Sequence, residues 1–304
     1  MAAFNQVLVL FFLILIGYTA RKKGVISKAG QKEISALILN FTLPALIIKS
    51  MQYPFTREAM LKGFAIIGIA IIFYTTLIFL SRVMIIPTRE HGKKADVFRA
   101  LLIFSNVGFM GYPVVMALFG EEGVFYAALF NSVFDFLCWT VGAYILSKHG
   151  ESPMGRDLKH ALLNPGTIAV ALGLMFFITG IRLEGAIKDT VFMLGSITPP
   201  LAMLVVGCIL GGAKVRVIFK NWKLFYLSFW RLIGIPAILY LALKSCGLTG
   251  YLLNIPVIIS AMPSAANIAI FAERTGSDSD LASQGIFLMT ILSLITIPLV
   301  GSFL

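Results

Sequence analysis

The chain has 304 residues, 59% of them hydrophobic and only 13% charged, with a formal net charge of +11. A soluble domain carries about 25% charged residues, so this composition excludes an ordinary water-soluble globule and describes an integral membrane protein with little outside the bilayer. The basic excess is scattered between apolar stretches, which argues against a nucleic-acid-binding patch.

A spanning helix needs about 20 mostly apolar residues. Ten such stretches follow one another, near residues 4–20, 31–51, 61–85, 99–119, 123–147, 163–180, 190–212, 222–243, 253–273 and 279–303. Continuous runs such as Ala65-Ile-Ile-Gly-Ile-Ala-Ile-Ile-Phe-Tyr74 are not the alternating ten-residue segments of a β-barrel. The first stretch has no basic segment before it and is followed at once by Arg21, Lys22 and Lys23. It is expected to span the membrane rather than be cleaved as a signal peptide.

The second stretch contains Asn40-Phe-Thr-Leu-Pro44 and the seventh Ser196-Ile-Thr-Pro-Pro200. A proline removes a backbone donor and clashes with the preceding turn, so both helices are expected to bend. The bends either let a panel of helices rock or are static kinks; Asn40 and Thr42 are polar candidates beside the first of them. The fourth stretch is interrupted at Ser105-Asn-Val-Gly-Phe-Met-Gly-Tyr-Pro113, and the ninth at Ser260-Ala-Met-Pro-Ser-Ala-Ala-Asn267. Interrupted segments at matching places in two halves are the best sequence pointer to a transporter's binding site. The register supports the match: Ser105 and Ser260 lie 155 residues apart, while Gly120 and Gly276, Gly17 and Gly173, and Pro44 and Pro200 each lie 156 apart.

Unwinding is expected over Asn106 to Pro113, with Gly108 and Gly111 weakening the helix and Pro113 opening a new half-helix. Met262 and Pro263 are given the same role in the ninth stretch. Two half-helices then begin at mid-membrane, and their free N–H groups and dipoles favour an anion. Asn106, Tyr112, Ser264 and Asn267 can add hydrogen bonds. The plainer alternative is that Gly and Pro only permit close helix packing.

Asp135 lies in the fifth stretch, one turn after Asn131. An ionisable group there costs about 2.5–3.5 kcal/mol on insertion scales and usually marks function. Asp135 is therefore the candidate to carry a coupling proton, against a structural role as partner to backbone or to Arg231. Arg231, in the eighth stretch, is expected either to snorkel toward the nearer face or to meet substrate. Gln284, in the tenth, is a further polar candidate. Cys138, Cys208 and Cys246 have no metal or redox spacing and read as packing residues. His91, His149 and His160 read as solvated loop residues. No P-loop, dinucleotide fingerprint, metal cluster or nucleophile elbow is present. No enzyme activity, cofactor or metal is expected, so any pumping draws on solute or ion gradients or on the membrane potential.

Alternate connections and the helix ends beside them differ in charge. One set holds 18 Lys and Arg, among them Arg21, Lys22, Arg89, Lys93, Lys94, Lys148, Arg156, Lys159, Lys214, Arg216, Lys220 and Lys223; the other holds 6, such as Lys49, Arg57 and Lys62. The positive-inside rule puts the richer set in the cytoplasm and both termini outside, with lipid headgroups as partners. Five segments per half is an odd number, so residues 151–304 would enter the membrane upside down relative to residues 1–150. The join lies near Lys148 to Ala161.

The pieces Leu39-Asn-Phe-Thr-Leu-Pro-Ala45, Ser105 to Pro113, Ala261-Met-Pro-Ser-Ala-Ala266 and Leu292-Ser-Leu-Ile-Thr-Ile-Pro298 together resemble the auxin efflux carrier family. That family includes the plant PIN auxin exporters and bacterial permeases for small dicarboxylates, and the resemblance covers essentially the whole chain. It implies an all-α fold like that of bile-acid symporters and sodium–proton antiporters. In that fold helices 4 and 9 are broken and cross, helices 1, 2, 6 and 7 form a scaffold, and helices 3–5 and 8–10 form a transport core. The plant exporters carry an Asn-Pro-Asn-Thr-Tyr-like crossover and a long central cytoplasmic loop. This chain has Asn106 and Pro113 without that run, and its short loop resembles the bacterial members.

The expected function is secondary transport or uniport of a small organic anion, a mono- or dicarboxylate or an auxin-like acid, across the cell inner membrane by alternating access. Proton or sodium coupling and a homodimer stay open. One alternative is a sodium-coupled symporter of the bile-acid type, which would want more carboxylates near the crossover. The other is a non-transporting membrane sensor or scaffold, which would be expected to carry a signalling domain.

Overall fold

A computed structural model describes residues 2–150, 164–212 and 221–304, with backbone alone for residues 2–7. Arg156, Lys159, His160, Lys214, Arg216 and Lys220 lie outside the described residues, as does most of the join between the halves. Among the described residues the structure is helical with no strand. In order the helical runs are α1 Ala2–Lys22, α2 Lys28–Ser50, α3 Arg57–Met84, α4 Gly92–Ile103, α5 Val107–Ser147, α6 Pro165–Thr179, α7 Gly185–Gly212, α8 Trp222–Ser245, α9 Tyr251–Ser260, α10 Asn267–Thr275 and α11 Ser279–Phe303.

Six of these runs are long and apolar enough to cross a membrane: α2, α3, α5, α7, α8 and α11. α6 and α9 are shorter apolar helices. The exterior is apolar, with Phe64 64%, Ile72 68% and Met193 73% exposed. Such a surface suits lipid, where apolar side chains lose nothing by facing outward and every backbone group must be paired internally.

Proline positions explain several of the helix deformations, though not the wide turn Cys138–Gly142 within α5. Three wide turns, Ile38–Thr42, Val107–Gly111 and Trp230–Gly234, are each followed two residues later by a proline: Pro44, Pro113 and Pro236. A proline cannot donate to the carbonyl four residues back, so the preceding turn loosens to a five-residue spacing. The bend expected in α2 is the first of these turns. In α7 the regular helix is interrupted at Ile197, ahead of Pro199 and Pro200. α5 is kinked at Gly120, whose φ of 66° and ψ of −160° place it where a side chain would be strained. α10 stops at Gly276, also left-handed with φ 65°. Both half-helices after the breaks thus end on a glycine with positive φ.

Helices 1, 2, 6 and 7 of the sequence pack on one another through small residues. A Cβ on Gly17 would strike the backbone of Leu204, so α1 and α7 touch backbone to backbone. A Cβ on Gly173 would strike Met51, which holds α6 against the end of α2. Gly195 likewise lets α7 approach the backbone of Ala45 and Leu46. Close approach of this kind is how helices associate in lipid, where burial alone drives little.

Candidate functional site

The two interrupted segments meet. α4 ends at Ile103 and α9 at Ser260, and the chain between each and its half-helix is extended or irregular. Ser105 and Ser264 pair as an isolated antiparallel bridge. The Asn106 N–H donates to Pro263 O at 2.7 Å, and the Ala265 N–H to Phe104 O at 3.0 Å. Two unwound strands thus satisfy each other, which is how irregular backbone survives away from water.

Both breaks differ from expectation. The first spans Phe104 to Asn106, and helix resumes at Val107 rather than at Pro113. Asn106 Oδ1 accepts from the Phe109 N–H at 3.2 Å, and that cap starts the new helix early. Gly108, Gly111 and Pro113 are therefore helical, in or beside the wide turn. The second spans Ala261 to Ala266, so Pro263 lies inside the break and α10 begins at Asn267.

Each crossing strand leaves two helix ends, and the ends are served differently. The C-terminal side belongs to Arg231, which is fully buried. Its Nε donates to Met262 O at 3.1 Å, its Nη1 to Leu102 O at 3.0 Å, and its Nη2 to Ser105 Oγ. A guanidinium placed against carbonyls at the ends of α4 and α9 meets their partial negative charge and fills their unpaired acceptors. Arg231 neither snorkels to a face nor lines a cavity. The wide turn Trp230–Gly234 carries it. Ser264 is also turned away from open space, donating to Leu101 O and to Met289 Sδ. Met262 and Pro263 contribute backbone carbonyls to the crossing.

The N-terminal side opens on a cavity of about 260 Å³. Its walls include Asn40, Asn106, Asn131, Asp135, Asn164 and Asn267, with Gly108, Tyr112 and Trp139 between them. Three helix starts converge there: α5 at Asn106–Gly108, α10 at Ala265–Asn267 and α6 at Asn164–Gly166. Among the described residues, no basic side chain lines it. Asn131 Nδ2 donates to Asp135 Oδ2 at 3.1 Å. A Cβ on Gly166 would lie 3.8 Å from the same carboxylate oxygen, so the first turn of α6 sits against Asp135. Asn40 Nδ2 is turned to Ala36 O at 2.8 Å. Gly111, Pro113, Thr42 and Gln284 do not line the cavity.

Of the residues around the cavity, Leu39, beside Asn40, is 37% exposed and Ile47 is 1% exposed, so the Ile47 end is the more enclosed. Just beyond Ile47, Lys49 Nζ lies 3.0 Å from Glu121 Oε1 and donates to Ser196 Oγ at 3.0 Å.

Sequence reasoning missed Asn164. The pair Asn164-Pro165 before an apolar run is a legible helix start, with Asn164 Oδ1 capping the Thr167 N–H at 2.9 Å. Its place beside Asp135 is set by tertiary packing. His149 is not simply solvated either, since its Nδ1 lies 2.6 Å from the buried Asp96 Oδ2.

A family model described as membrane transport protein matches residues 2–300. An uncharacterized transporter of Methanothermobacter thermautotrophicus is 28% identical over 304 residues, covering 98% of this chain and 97% of that protein. An uncharacterized transporter of Methanocaldococcus jannaschii is 25% identical, covering 99% and 98%. The uncharacterized transporter YfdV of Escherichia coli K12 is 21% identical, covering 97% and 95%.

Proposed function

The chain belongs to the membrane transport protein family, that of the auxin efflux carriers, and from that premise we propose a secondary transporter that moves a small organic anion through the crossing of its two broken helices. The observation that carries this reading is the convergence of three helix starts on one cavity that also holds Asp135. Helix N-termini present unpaired N–H groups and partial positive charge, which suits a carboxylate. The five asparagines around them supply donors without a fixed counter-charge.

Asp135 sets the condition for binding. An ionised Asp135 and an anionic substrate in one small cavity repel each other strongly in low dielectric. The site accepts the substrate best when Asp135 is neutral, so binding one anion takes up one proton. Sodium-coupled carriage of a bile-acid-sized molecule fits less well, because about 260 Å³ lies below the roughly 300–1,000 Å³ usual for drug-sized ligands.

The architecture in this proposal is ten spanning segments in two inverted repeats, residues 1–150 and 151–304. The swapped contacts support it: Gly17 in α1 meets α7, and its equivalent Gly173 in α6 meets α2. Helices 1, 2, 6 and 7 are the scaffold, and the stapled crossing moves against it as one body, carrying the substrate. The cavity's Asn40 end then faces the cytoplasm, and both termini lie outside.

Proteoliposomes given a panel of mono- and dicarboxylates, with pH and Na⁺ gradients imposed separately, test the function. Accumulation driven by the pH gradient alone is expected. A strict Na⁺ requirement would move the reading to a sodium symporter, and absence of flux for every acid would leave a sensor.

Asn267 offers the cleaner test of the site. Its side chain faces the cavity with no hydrogen bond to a described residue, whereas Asn106 also caps α5. Asn267→Leu is expected to weaken substrate binding by about 1–3 kcal/mol, roughly tenfold to a hundredfold, with thermal stability unchanged. Unchanged affinity by calorimetry would place the substrate elsewhere.

Topology is tested by His91→Cys in a background with the exposed Cys246 replaced by Ser; Cys138 and Cys208 are buried and silent. Labelling by an impermeant maleimide is expected only from the cytoplasmic face. Labelling from outside intact cells would reverse the assigned orientation.

A further inference from the structure

We propose that the chain carries a built site for one anionic phospholipid, separate from the transport cavity and lying between α3, α4 and the end of α5. A second cavity, about 980 Å³, opens there. It rests on the reading of the chain as a membrane protein and not on any assignment of substrate.

The charge balance of this cavity is the first argument. Arg82, Arg89, Arg99 and Lys148 line it, and among the described residues Glu90 and Asp96 are the carboxylates in its wall. Both carboxylates are already engaged. Glu90 Oε1 lies 2.6 Å from Lys223 Nζ, and Asp96 Oδ2 lies 2.6 Å from His149 Nδ1. Among the described residues, the three arginines make no ion pair.

Arg99 is the second argument. It is only 9% exposed, and among the described residues its hydrogen bond is a long 3.4 Å contact from Nε to Ser81 Oγ. Arg82 lines the same cavity as Arg99, with Asp96 one turn before Arg99 on α4. Two guanidiniums on one cavity, one of them nearly buried and with no hydrogen bond from its Nη groups to a described residue, are costly unless an anion sits between them.

The remaining walls choose the anion's source. Ile78, Ile86, Val141 and Tyr144 face the cavity, with Ile86 66% and Tyr144 57% exposed. A soluble phosphate gains nothing from such walls. A phosphodiester headgroup would meet the arginines while its glycerol and first acyl carbons cover the apolar sides. Basic pockets between membrane helices take anionic headgroups in this way.

The test uses the full chain purified in detergent, with phosphatidylglycerol, phosphatidylcholine and inorganic phosphate added separately. Native mass spectrometry is expected to show one retained phosphatidylglycerol, with binding at least tenfold weaker for phosphatidylcholine. The double variant Arg82→Gln/Arg89→Gln, at two exposed positions, is expected to lose that preference and the accompanying rise in Tm. The double variant Arg57→Gln/Lys62→Gln, at the opposite end of α3, should keep both. Equal retention of the two lipids, or unchanged phosphatidylglycerol binding in Arg82→Gln/Arg89→Gln, overturns the proposal. So does inorganic phosphate that raises Tm as far as the lipid does and displaces it, since the site would then take a soluble anion.

Discussion

Asp135→Asn is expected to bind its substrate as tightly at pH 8 as at pH 6 and to lose accumulation driven by a pH gradient. In the coupling proposed above, binding an anion beside Asp135 takes up a proton. Above the pH at which the carboxyl group ionises, affinity should therefore fall by as much as tenfold per pH unit. Asparagine keeps the shape and one acceptor but carries no charge at any pH. The competing charge is gone, and so is the coupling. Exchange of substrate across a membrane without a gradient should survive, because the convergent N–H groups and the asparagines are untouched. The measurement is radiolabelled uptake against counterflow in the same proteoliposomes over a pH series. Two outcomes would remove Asp135 from the coupling role: full pH-driven accumulation in the variant, or loss of exchange together with Tm. The second would mark Asp135 as a structural partner for Asn131 and the start of α6.

Arg231→Met is expected to cost the fold rather than the chemistry. Three acceptors, Met262 O, Leu102 O and Ser105 Oγ, depend on its guanidinium. Each loses its partner, and Arg231 itself is fully buried. At about 1–3 kcal/mol for each buried group left unpaired, the loss reaches several kcal/mol, a large part of a typical 5–15 kcal/mol stability. Size-exclusion chromatography in mild detergent should show aggregation or a Tm lowered by well over 10 °C. Arg231→Lys should fall between, because one ammonium cannot span three acceptors set out for a planar fork. Wild-type Tm in Arg231→Met would show that the crossing holds itself together without this side chain.

Much of the site was legible because broken helices leave a local signature. Asn106, Gly108, Tyr112 and Asn267 were expected at the crossing and Asn131 and Asp135 beside it, and one cavity gathers all six. The extent of each break was not legible. Pro113 reads as a helix start, but the Asn106 cap wins and begins the helix six residues earlier. A side chain that bonds backbone three residues on can outweigh a proline that is tolerated within a loosened turn. Arg231 was misread for a different reason. From sequence, an arginine inside a membrane segment can reach a face, a substrate or a partner. Only the meeting of α4 and α9, 129 and 31 residues distant from it along the chain, reveals the carbonyls that claim it. The start of α6 entered the site the same way, by packing between segments rather than by pattern within one.

In the alternating-access cycle proposed above, the pair Lys49–Glu121 has a consequence for how the resting molecule divides itself between its two faces. It ties the end of α2 to the Gly120 kink, with the lysine side chain 10% and the glutamate 47% exposed. Opening the Ile47 end means separating these two groups. A half-exposed pair of this kind contributes about 0–1 kcal/mol, which skews a two-state balance by no more than roughly fivefold. This pair alone locks neither face. Rising ionic strength screens the pair and draws the two populations closer to equality. For the gradient-driven carrier proposed above, the pair is thus only a small bias for the free energy of the gradient to overcome.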